Sequence, residues 1–106
     1  MLLFSSFTFA QHNCIGKLNN LDIDGTNTIH INLDGMGDGN ILCALNVKLG
    51  QYEPKTCKAA LGLLMTAQAT GKRIRLWINN DTNTACFKGN WVNLANSGVY
   101  HLRIED

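Results

Sequence analysis

The sequence predicts a mainly β domain with one helix, in the order β-β-β-α-β-β. Three observations predict it. Short segments in both halves of the chain alternate apolar and polar residues with period two, as half-buried strands do. One central stretch, opened by Pro54 and closed by Gly71, switches to helical spacing. The chain has 106 residues, room for a single domain with neither repeat nor linker.

The first strand is read over 14–23, where Ile15, Leu18, Leu21 and Ile23 alternate imperfectly and Gly16 is taken to mark a bulge. Asp24-Gly25, extended through Thr26-Asn27, signals a hairpin. In the second strand, Thr28–Leu33, Ile29, Ile31 and Leu33 face one way and Thr28, His30 and Asn32 the other. That pattern predicts one buried face. Asp34-Gly35-Met36-Gly37-Asp38-Gly39 is a turn with three glycines. The third strand follows over 40–47.

The helix is read over Pro54–Thr70. Proline suits the first helical position, where no amide donor is lost. Cys57, Ala60, Leu61, Leu64 and Met65 form an apolar stripe, with Gln68 on the same face. Ala59, Leu63 and Ala67 widen the stripe, which predicts a helix covered on more than one side. Gly71 is placed as its left-handed cap. In the fourth strand, 72–79, Ile74, Leu76 and Ile78 alternate against Arg73, Arg75 and Trp77. A polar loop over 80–98 leads to the fifth strand, 99–104. Loops of that length are often functional. The element order is that of an OB-fold, a five-stranded Greek-key barrel. Such barrels bind oligosaccharides, nucleic acids or copies of themselves, so the fold narrows function without naming it.

Charge narrows it further. Nine basic and eight acidic residues leave a formal charge of +1. The only basic cluster, Lys72, Arg73 and Arg75, falls short of the stripe that tracks a phosphate backbone. Nucleic acid is therefore not an expected partner.

Residues 1–10 are uncharged and mostly apolar and end in Thr8-Phe9-Ala10. They read as the remnant of a signal peptide lacking its basic start, the domain proper beginning at Gln11. The rival reading is a first strand. No other run approaches the length of a membrane span. The expected location is secreted or periplasmic.

Cys14, Cys43, Cys57 and Cys86 form an even set in a short exported chain, which favours two disulfides. Three pairings are possible. Cys43–Cys57 with Cys14–Cys86 is preferred. The first closes a short loop between a strand end and a helix start, and the second ties the first strand to the long loop. A four-cysteine zinc site would need a C-x-x-C spacing that is missing.

The helix and fourth strand carry a resemblance. Cys43, then Cys57, Leu63-Leu64, and Ala67-x-x-Thr70-Gly71-Lys72-x-Ile74-Arg75-Leu76 are similar to the centre of the B subunits of bacterial A-plus-five-B toxins. The subtilase-cytotoxin and typhoid-toxin types, and related small exported bacterial proteins, are the ones resembled. The matched part spans 41–78. The resemblance implies an OB-fold, a homopentameric ring, recognition of host glycans or glycoproteins and, in the toxins, an A subunit carried by the ring. Where those subunits have Trp-Thr-Tyr-Pro after the fourth strand, this chain has Asn79-Asn80-Asp81-Thr82-Asn83.

A sugar site pairs an aromatic face with amides or carboxylates that bond hydroxyls. Trp77 points away from the barrel interior and is read either as such a face or as a subunit contact. Trp91 in the long loop is read either as a second platform or as a plug that pins the loop. Asn83, Asn90 and Asn93 supply amides nearby in sequence. His30 and His101 are read as surface residues of their strands, without metal-ligand spacing. The acidic turns 22–25 and 34–38 do not complete a calcium-loop pattern, and hairpin chemistry explains both. No nucleophile elbow, metal-protease or phosphate-loop motif is present, so no catalytic residue and no cofactor is expected.

Overall fold

The computed structural model describes residues 11–106. The segment 1–10, read as a signal-peptide remnant, lies outside them. The chain runs through β1 (His12–Ile23), β2 (Thr28–Leu33), β3 (Gly37–Ala44), α1 (Pro54–Thr70), β4 (Arg73–Ile78), a short 3-10 turn (Leu94–Ser97) and β5 (Val99–Glu105). This is the order and composition expected from the sequence.

All five strands lie in one antiparallel sheet, ordered β3-β2-β1-β4-β5. β1 is long because it serves two partners. Its first half, from His12 to Lys17, pairs with β4, and its second half, from Leu18 to Ile23, pairs with β2. The β1–β2 register shifts between Leu18 and Asn20, so the bulge lies there and not at Gly16. Gly16 admits a close approach instead. A Cβ at that position would sit 2.4 Å from the Asp34 carbonyl oxygen, and the Asp34 amide donates to the Lys17 carbonyl at 2.9 Å. Only glycine fits so near another backbone.

The alternating faces named from the sequence lie in the buried core, beside Met36, Leu42, Tyr52 and Leu94, which alternation does not name. Ile29, Ile31 and Leu33 of β2 meet Ile74, Leu76 and Ile78 of β4, with Leu64 of α1 among them. The helix buries Cys57, Ala60, Leu64 and Ala67, one narrow stripe. Met65 does not belong to it. Successive helical residues turn by about 100°, which carries Met65 past the edge of that stripe, and it is 57% exposed. Leu63 is 40% exposed and Ala59 is exposed too. Among the described residues of one chain the helix is thus covered on one side. Gly71 caps it at φ 70°, its amide donating to the Ala67 carbonyl.

Both preferred disulfides are formed. Cys14–Cys86 ties β1 to the loop after β4, and Cys43–Cys57 ties the end of β3 to the first turn of α1. Among the described residues no helix is long and apolar enough to cross a membrane.

Candidate functional site

β3 is an edge strand, and an uncovered edge offers unpaired backbone groups to any passing chain. The loop between β4 and β5 covers it. The Lys88 amide donates to the Met36 carbonyl at 2.9 Å, and the Trp91 amide to the Asp38 carbonyl at 2.8 Å. The Ile41 amide donates to the Val92 carbonyl at 2.8 Å. Side chains complete the seam. Asn90 Oδ1 accepts from the Asp38 amide, and the buried Asn40 Oδ1 accepts from the Val92 amide. A parallel bridge, Ile41 with Asn93, ends it. Gly37 permits the contact, since a Cβ there would lie 1.9 Å from the Gly89 carbonyl oxygen.

The seam fixes Trp91 in an unusual state. Its φ is 58°, the left-handed region that bulky residues avoid. Backbone strain of this kind persists only where the surroundings hold it, and it concentrates at functional sites. One face of the indole lies on Gly39, where a Cβ would come within 2.3 Å of the ring. The ring also meets the His30 ring in a T-shaped contact, with centroids 5.6 Å apart. Even so, Trp91 is 63% exposed. It is not a plug. It is an aromatic surface held toward solvent.

Around it lies a cleft of about 370 Å³, lined by Asn20, Leu21, Asp22, Asp38, Gln68 and Trp91. Asp22 from β1 and Asp38 from β3 flank β2 on either side. Gln68 reaches in from the last turn of α1. The site therefore offers one aromatic surface, two amides and two carboxylates. Asn32 Nδ2 donates to Asp38 Oδ1 at 3.2 Å and steadies that carboxylate.

His30 lies beneath the indole and is only 8% exposed, not the surface residue expected from its polar strand face. The loop that brings Trp91 covers the side of β2 that alternation assigned to solvent. Nδ1–H of His30 donates to the Gly39 carbonyl and Nε2–H to Asp24 Oδ2, both at 2.8 Å. Asp24 also accepts from the Thr26 hydroxyl and amide and the Thr28 amide. Those bonds, the Thr26 hydroxyl first, hold its carboxyl far below the ordinary carboxylate range.

The other residues singled out by sequence lie elsewhere or serve the loop. Trp77 lines a separate depression of about 280 Å³ with Tyr100, His101 and Arg103. Its ring meets His101 edge-on at 4.8 Å, and the guanidinium of Arg103 lies over it at 5.0 Å. A face already covered by a cation has little left for a pyranose. Asn83 Oδ1 accepts from the Ala85 amide, and Asn93 Oδ1 accepts from the Ala95 amide at the start of the 3-10 turn. Asn83, Asn90 and Asn93 thus shape the loop and do not line the cleft. Asn20, Asp22, Asp38 and Gln68 line the cleft without carrying a site signal in the sequence, where Gln68 reads only as part of the helix face. The two aspartates read as turn chemistry in sequence, and nothing local ties them to a tryptophan far along the chain.

A larger depression of about 600 Å³ is lined by amides, among them Gln51, Asn79, Asn80 and Asn96, and has no aromatic wall. Several of those amides are already engaged, Gln51 with Asn79 Oδ1 and Asn80 with the Asn96 carbonyl. Among the described residues no group of three or more His, Cys, Asp or Glu side chains is placed to hold a metal ion. Comparison with known proteins gives no match: no protein family, curated protein or solved structure is similar enough to this chain to place it.

Proposed function

We propose that this protein is an exported, non-enzymatic binding subunit that recognises a cell-surface glycan at the Trp91 cleft and acts as a homopentameric ring of OB-fold subunits. The observation that carries the reading is Trp91 itself, its backbone in the left-handed region and its indole backed by Gly39 and left open beside carboxylates and amides. Sugars are bound by that combination, the ring packing on the apolar pyranose face and the polar groups taking hydroxyls.

Several observations support the remaining parts. Two disulfides suit an oxidising compartment, secreted or periplasmic. A first strand shared between β2 and β4, with the segment before β5 bridged to β3, suits a barrel of the OB type. The ring and a toxin A subunit as cargo rest on the resemblance of the segment 41–78 to toxin B subunits.

One site of this size should bind weakly, near millimolar or about −4 kcal/mol. Five sites on one ring raise apparent affinity on a glycan-coated surface by about a hundredfold or more without a new contact. The test is a glycan array with wild type, Trp91→Ala and Trp77→Ala. Wild type and Trp77→Ala should bind the same glycans, while Trp91→Ala should lose roughly tenfold or more per site. A blank array, with a host protein captured instead, would replace this reading with that of an interaction or inhibitor module.

A further inference from the structure

The lining of the Trp91 cleft is one-sided in charge. Asp22 and Asp38 both border it, and no lysine or arginine does among the described residues. His30 beneath the indole brings one positive charge, but Asp24 bonds it at 2.8 Å, so with Asp22 and Asp38 the carboxylates outnumber it. Asp22 stands opposite His30 in the β1–β2 register, and Asp38 is steadied by Asn32 of β2. The two carboxylates therefore approach the exposed indole from neighbouring strands on either side of β2.

Resting on the glycan reading, we infer that the cleft takes a sugar bearing a free amine, accepts a neutral sugar less well, and refuses sialylated, uronic or sulfated ones. An ammonium group satisfies both features at once. It forms charge-assisted hydrogen bonds with carboxylates and is attracted to the face of an indole. Acetylating the amine removes the charge and leaves only hydroxyl bonding and stacking. A sugar carboxylate or sulfate meets two like charges with no lysine or arginine in the lining to receive it, the usual way a site rejects a wrong ligand. Asn20 and Gln68 remain for hydroxyls, which keeps the pyranose rather than a bare amine as the ligand.

The experiment uses the oxidised, assembled protein labelled with nitrogen-15. The indole N–H signal of Trp91, assigned with Trp77→Phe, is followed during titration in mildly acidic buffer. The ligands are glucosamine, N-acetylglucosamine and N-acetylneuraminic acid. Glucosamine should bind about tenfold more tightly than N-acetylglucosamine, and N-acetylneuraminic acid should give no saturable shift. In Asp22→Asn/Asp38→Asn the ratio of the first two should fall to near unity. Should that double variant fail to fold, the exposed Asp22→Asn alone should narrow the ratio. Equal or tighter binding of N-acetylneuraminic acid, a reversed order, or a ratio that survives the substitutions overturns the inference. Silence with all three sugars while the array is positive sinks this inference alone, and silence in both experiments removes the glycan reading with it.

Discussion

His30 is a residue whose protonation is set by its partners. A carbonyl and a carboxylate can only accept, so a ring bonded to both must donate twice and fold as imidazolium. Burial is the largest single influence and opposes the charge. The Asp24 bond, the Gly39 carbonyl and the charges of Asp24 and Asp22 together outweigh it, and the pKa rises above its ordinary value of 6.5. A pKa raised in the folded state stabilises fully below the unfolded value, and that contribution is lost as pH climbs through the folded one. Urea unfolding should therefore show stability falling as pH rises above about 6.5. His30→Gln should flatten that slope, and an NMR titration placing the His30 pKa at or below that of a free histidine would refute the account. Alternation put this residue on a polar face, correctly. Its burial was illegible because the covering ring comes from another part of the chain.

At the scale of elements, the strands and the helix were readable because each carries its own period, and the helix its proline start and glycine cap. The ends drifted where pairing decides them. β3 begins at Gly37 rather than three residues later, since Gly37, despite its positive φ, still pairs with Leu33 of β2. The loop 80–98 was recognisable only as long and polar. Its shape depends on a disulfide, on the seam along β3, and on Lys88, whose side chain is 3% exposed. The Lys88 ammonium lies 3.1 Å from Asp81 Oδ2 and also meets the Asn83 carbonyl and His12 Nε2. Removing the staple should loosen the platform before it unfolds the domain. Cys14→Ser/Cys86→Ser should lower stability by about 2–5 kcal/mol. It should also raise quenching of tryptophan fluorescence by acrylamide, as Trp91 is released from Gly39. An unfolding curve matching that of wild type would show that the seam alone holds the loop.

At the scale of the whole molecule, one face of α1 is left uncovered by the described residues. From Ala59 to Thr70 the exposed positions are Ala59, Gly62, Leu63, Met65, Thr66, Gln68, Ala69 and Thr70, with no charge between Lys58 and Lys72 and Gln68 turned to the Trp91 cleft. Even the hydroxyls are turned inward, Thr66 onto the Gly62 carbonyl at 2.9 Å and Thr70 onto the Thr66 carbonyl at 2.7 Å. A threonine bonded back to its own helix offers little to water. The widened apolar stripe read from the sequence is thus present, but the described residues of one chain cover only half of it. Closed rings form when a surface on one subunit meets a different surface on the next. Light scattering of the mature protein should give a mass five times that of one chain. Leu63→Lys/Met65→Lys should yield monomers with an unchanged circular dichroism spectrum, because neither side chain is in the core. On the glycan array those monomers should lose the avidity of about a hundredfold while each site keeps its own affinity. Wild-type protein that stays monomeric across micromolar concentrations would rule out the ring. The Trp91 cleft would then have to act singly, at millimolar strength.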